Sequence, residues 1–80
     1  MSLPPNVIFG DVIDELNRQQ KKWGIQNHKV DWYYLILAEE VGEVAKGILE
    51  QESVSHIREE LIQVAAVAIA MIDSLDRNKR

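Results

Sequence analysis

Apolar residues recur along this chain at intervals of three and four, in three stretches separated by short polar breaks. That spacing lines one side of an α-helix. In the first stretch Phe9, Val12, Ile13 and Leu16 carry the pattern, which follows Pro4-Pro5-Asn6 and runs to about Lys22. Asn6 is the expected N-cap and Gly24 the expected stop, with a polar and aromatic loop to Lys29. The second stretch predicts a helix over 32–51, capped by Asp31, with Leu37, Val41, Val44, Ala45 and Ile48 as its stripe and Lys46 and Glu50 opposite. The third predicts a helix over 56–77, capped by Ser55. No strand is predicted.

The third helix is apolar nearly all round. Ile57, Leu61, Val64, Ala68, Met71 and Leu75 make one face, while Ile62, Ala65, Ala66, Ile69 and Ala70 cover the others. Such a helix must be buried on most sides. Its short connection to the second helix makes the two antiparallel neighbours. One chain of 80 residues supplies too little helix to cover it. The expected fold is therefore all-α: residues 1–80 form a single domain, a three-helix protomer that completes a four-helix-bundle-type core by homo-oligomerisation. A twofold relation between copies is expected, as a dimer or tetramer.

Composition narrows the chemistry. Without cysteine there is neither a disulfide framework nor a zinc–thiolate site, and His28 and His56 form no HExxH pair. A net charge of −4 disfavours binding to nucleic-acid polymers, which calls for a basic surface. The apolar run at 64–72 is far shorter than the roughly 20 residues of a membrane span. The N-terminus has no basic region followed by an apolar core, so no membrane association and a cytoplasmic location are expected.

Two acidic clusters stand out against this background. Glu39-Glu40-Val41-Gly42-Glu43 lies in the second helix, and Glu59-Glu60-Leu61-Ile62-Gln63 opens the third. Glu40 and Glu43, like Glu60 and Gln63, are spaced i, i+3 and project from one side of their helix. At about 1.5 Å per residue, counting from the loop sets the pairs within roughly one turn of each other. Three carboxylates and an amide oxygen suit a hard divalent cation. Most acidic pairs on helices are solvated faces, and Glu39, Glu50, Glu52 and Glu59 fit that description. Glu60 does not, because its neighbours on the helix are Val64, Val67 and Met71, and Lys46 and Arg58 point elsewhere. A buried carboxylate must be paired, protonated or bound to a cation. Gly47, one turn beyond Glu43, either leaves room for a ligand or neighbouring helix or is merely a tolerated weak spot.

These residues carry a family resemblance. Arg18-Gln19-Gln20-Lys21-Lys22-Trp23-Gly24, Leu37-Ala38-Glu39-Glu40-Val41-Gly42-Glu43-Val44-Ala45-Lys46 and Arg58-Glu59-Glu60-Leu61 resemble the MazG-like group of all-α nucleoside triphosphate pyrophosphohydrolases, relatives of the dimeric dUTPases. The family pattern is Glu-x-x-Glu followed on the next helix by Glu-x-x-Asp. Glu40, Glu43 and Glu60 match it, while Gln63 stands where the aspartate is usual. The resemblance implies hydrolysis of an NTP or dNTP to the monophosphate and pyrophosphate, in nucleotide-pool housecleaning. Mg²⁺, or Mn²⁺ in its place, would be held by Glu40, Glu43, Glu60 and Gln63. Glu39 and Glu59 are candidates for the base that activates water or for an acceptor behind the ligands.

Phosphates need cationic partners, and Lys21, Lys22 and Lys46 are the first candidates, with Lys29 behind them. Each is as readily an ordinary solvated lysine. Trp23 leads the candidates for stacking on a base, ahead of Trp32, Tyr33, Tyr34 and His28, although aromatics in a small domain are more often packing groups. His56 is assigned a structural or surface role. Two other readings compete: a nucleotide-binding or regulatory module of the same fold with little turnover, for which Gln63 speaks, and a plain helical oligomerisation domain.

Overall fold

The computed structural model describes residues 4–23 and 29–78, the Trp23 side chain excepted. Three helices account for nearly all of them: α1 (Pro5–Trp23), α2 (Val30–Leu49) and α3 (Val54–Arg77). No strand occurs among the described residues. Gly24, expected to end the first helix, and His28 lie outside them.

Each helix starts one or two residues earlier than the sequence pattern indicates. In α1 the start is Pro5 rather than a residue after Asn6, and the Val7 N–H donates to the Pro4 carbonyl at 3.0 Å. Proline suits a first helical position because its fixed φ is already helical and the missing N–H would be unpaired there anyway. Lys29, not Asp31, is the N-cap of α2, and it makes no side-chain capping bond. Asp31 sits in the first turn instead, where its charge favours the positive end of the helix dipole. Ser53 caps α3 in place of Ser55, its hydroxyl accepting the His56 backbone N–H at 3.1 Å.

The end of α2 comes at Leu49, not Gln51, and the turn that ends it is a Schellman motif. Gln51 takes a left-handed φ of 55°, its N–H donates to the Ile48 carbonyl at 3.1 Å, and the Glu52 N–H returns to the Gly47 carbonyl at 2.9 Å. This turn reverses the chain and sets α3 back along α2. Gly47 then faces Ile57, and Glu40 lies within the field of Glu60, as antiparallel neighbours should.

α3 is the central helix, with α2 packed on one side and α1 on another, while α1 and α2 do not pack on each other. The buried apolar residues are few: Val12, Tyr33, Ala66 and Val67. The face that α2 turns inward runs through Tyr33, Leu37, Glu40, Val44 and Gly47. This corrects the expected stripe, because Val41 and Ile48 are 51% and 59% exposed. Glu40 therefore stands in the middle of the packed face rather than at its border. Phe9 and Ile13 likewise point outward, and α1 meets α3 along Val12, Leu16 and Gln19. α2 has two apolar stripes, and α3 covers one of them.

Candidate acidic site on the α2–α3 seam

Helical spacing and the Schellman turn together decide which charges meet. Glu40 is carried inward on α2, and its Oε2 is buried with no hydrogen-bond partner. Removing a carboxylate from water disfavours its charged form. Burial is accordingly the main cause that pushes the Glu40 carboxyl above its ordinary range, and the negative charges of Glu60, Glu39, Glu43 and Glu15 push it further. Carboxylates from all three helices thus bear on one group. Glu39 and Glu43 are themselves exposed.

Glu60 is nearly buried, its side chain 14% exposed. It does have a partner, which the sequence reading did not assign: His56 Nε2 lies 3.4 Å from Glu60 Oε1 and 2.9 Å from Glu52 Oε2. His56, given only a structural or surface role, bridges two carboxylates one turn apart on either side. Glu52, read as a solvated acid, is one of them. Arg58 does point away from Glu60, to Asp11 on α1 at 2.6 Å.

Gln63 belongs to a different place. It lines a cleft of about 480 Å³ between α1 and α3, together with Asp11, Glu15, Arg18, Arg58, Glu59 and Ile62. The acids there are matched by guanidinium groups. Arg18 holds Glu15 through two N–H donors at 2.6 and 2.8 Å, and Gln19 adds a bond to the same carboxylate at 3.0 Å. The Arg18 hydrogen bond is the main cause that holds the Glu15 carboxyl below its ordinary range, against the opposing effect of burial. Glu15 was missed in the sequence, although Val12, Leu16 and Gln19 share its side of the helix.

Lys21 and Lys22 are exposed in the last turn of α1, and Lys46 is exposed in that of α2. None of the three lines the cleft. The Trp23 side chain lies outside the described residues. Tyr33 is buried and meets Trp32 edge to face, ring centroids 5.3 Å apart, so of the aromatic candidates it serves packing. Gly47 offers no room for a ligand, because Glu52 Oε2 occupies the space where a side chain would begin.

The donor chemistry of the seam fits a hard divalent cation, being oxygen only, with an orphaned buried oxygen at its centre. Among the described residues, however, no three His, Cys, Asp or Glu side chains stand together closely enough to hold a metal ion. No helix among them is long and apolar enough to cross a membrane. The chain matches no protein-family model, no curated protein and no solved structure.

Proposed function

We propose that this chain is a Mg²⁺-dependent nucleoside triphosphate pyrophosphohydrolase of the MazG-like kind, acting on an NTP or dNTP in nucleotide-pool housecleaning. The observation that carries the reading is the Glu40 carboxylate, packed into the helix seam with an unpartnered oxygen and like charges around it. A group so placed raises the free energy of the fold unless something cationic completes it. Perturbed, unpaired carboxylates of this kind concentrate at functional sites.

Glu40, Glu43 and Glu60 would hold Mg²⁺, or Mn²⁺ in its place. Bound there, the ion would neutralise phosphate oxygens and lower the pKa of the attacking water. Breaking the α–β anhydride also requires a base for the water proton, and exposed Glu39 on the seam is the candidate. Water oxygen joins phosphorus and pyrophosphate leaves. Lys21, Lys22 and Lys46, all exposed, are candidates to bind the departing phosphates, with Trp23 beside the base. Gln63 is a ligand in this reading only as a neutral oxygen donor.

The reading includes a homo-oligomer. The chain exposes 6180 Å², where a compact monomer of its mass exposes about 4900 Å² by surface scaling. The difference exceeds the roughly 800 Å² per partner of a standard interface. Leu61, Ile69, Ile72 and Leu75 on α3 are among the exposed apolar residues, as expected of a helix that needs more cover than α1 and α2 give.

Release of pyrophosphate from a panel of NTPs and dNTPs, with and without Mg²⁺, tests the activity. Turnover that needs Mg²⁺ and disappears in Glu43→Gln supports it; no turnover of any nucleotide sinks it. A second reading, a nucleotide-binding module without useful turnover, is favoured by Gln63 lining the α1–α3 cleft. Nucleotides would then raise the Tm with Mg²⁺ and remain uncleaved.

A further inference from the structure

The turn between α2 and α3 does more than reverse the chain. In a Schellman motif the second residue past the cap comes back over the third residue before it. Here those residues are Glu52 and Gly47. A Cβ on Gly47 would stand 2.9 Å from Glu52 Oε2, closer than such atoms approach, but only 3.6 Å from Ile57 Cγ1, an ordinary contact. Packing of α2 on α3 would thus accept alanine. What the glycine accommodates is the folded-back Glu52 carboxylate, at the expense of a poor helix former inside α2.

That carboxylate has a target. Glu52, His56 and Glu60 follow one another at four-residue intervals, and the His56 imidazole lies between the two acids, 2.9 Å from Glu52 Oε2 and 3.4 Å from Glu60 Oε1. Ionised carboxylates only accept hydrogen bonds, so Nε2 carries the proton they share. The His56 backbone is fixed as well, by its N–H to Ser53 Oγ at 3.1 Å. Glu52 orients the imidazole, and the imidazole holds one oxygen of Glu60.

We infer that Glu52 and His56 are positioning residues for the Glu60 carboxylate, and that Gly47 is glycine so that this chain of contacts can close. The inference rests on the proposed role of Glu60 as a Mg²⁺ ligand. Groups that hold a metal ligand from behind typically set affinity by about ten- to a hundredfold.

Gly47→Ala is the informative variant, because it removes no polar group. The Glu52 carboxylate is the end of a flexible side chain and swings away, leaving a better helix former behind. Its Tm is expected to equal or exceed that of the unsubstituted chain. In metal-free protein, NMR should show the Glu60 carboxylate ¹³C resonance moving in Gly47→Ala and in Glu52→Ala. Calorimetric titration with MgCl₂ should then find affinity reduced about tenfold in each, and no further in the double variant. Glu52→Gln, which keeps an acceptor oxygen, should retain most of the affinity. An unmoved Glu60 resonance, or Mg²⁺ affinity unchanged in both single variants, overturns the inference. Additive losses in the double variant do so too. If the unsubstituted chain itself binds no Mg²⁺, the failure lies with the proposed function instead.

Discussion

Two acidic regions flank α3, and they treat their charges in opposite ways. In the α1–α3 cleft the chain supplies its own counterions: Arg58 pairs with Asp11, and Arg18 grips Glu15 through two donors. On the α2–α3 seam one imidazole serves two carboxylates, and a buried oxygen of Glu40 has no partner. A matched set of charges is complete as it stands. An unmatched one in a packed seam is a place where a cation from outside gains the most. The cleft therefore reads as a polar surface between helices and the seam as the reactive centre.

The largest effect that separates them is on turnover. Glu40→Gln should lower kcat at least about a hundredfold, the scale on which losing a charge-stabilising group is felt. Asp11→Asn in the cleft should leave kcat within about threefold, because its exposed ion pair contributes under about 1 kcal/mol. Equal losses in steady-state assays would erase the distinction.

Next is the effect on assembly. Ile72 is 56% exposed on α3, and Ile72→Glu would place an unpaired carboxylate in the proposed interface. Dimer affinity should fall at least about a hundredfold, read by light scattering across a dilution series. An unsubstituted chain that is monomeric at micromolar concentration would contradict the oligomer.

Smaller, and opposite in sign between the regions, are the effects on metal-free stability. Glu40 has its carboxyl raised above the ordinary 4.5, so its contribution is present at low pH and lost as pH rises through the folded value. Glu40→Gln should thus stabilise by about 1 kcal/mol at pH 7, with the gain vanishing once pH falls below the ordinary range. Glu15 is held below 4.5, so its contribution is present above that value and lost as pH falls through the lower folded one. Glu15→Gln should therefore destabilise at pH 7, and the difference should close in acid. Urea melts at a series of pH values check both signs.

The smallest concerns the turn that joins the seam's two helices. Gln51 holds a left-handed φ of 55°, which a side chain disfavours and glycine does not. Gln51→Gly should stabilise by about 0.5 kcal/mol in thermal melts and leave turnover unchanged.

The three helices were legible because Phe9 to Leu16, Leu37 to Ile48 and Ile57 to Leu75 each keep helical spacing over several turns. Their starts were less so. Ser53 and Ser55 are both capable caps, and the choice depends on where the Schellman turn releases the chain. The face of α2 was misread because hydrophobic periodicity counts a carboxylate as polar. Tyr33-Leu37-Glu40-Val44-Gly47 loses to Leu37-Val41-Val44-Ile48 on that count, yet α3 packs on the former. The i, i+4 run of Glu52, His56 and Glu60 was visible in the sequence. Its closure needs Gly47 beneath Glu52, a contact made only once the turn is built. Gln63 lies in the α1–α3 cleft because α3 is packed on two sides, which spacing alone does not assign.

The most direct test of the central claim is product analysis with Mg²⁺ and the nucleotide panel. The account predicts monophosphate and pyrophosphate in equal amounts from at least one nucleotide, with neither formed in EDTA or by Glu40→Gln. Orthophosphate in place of pyrophosphate, or no cleavage of any nucleotide, would contradict it.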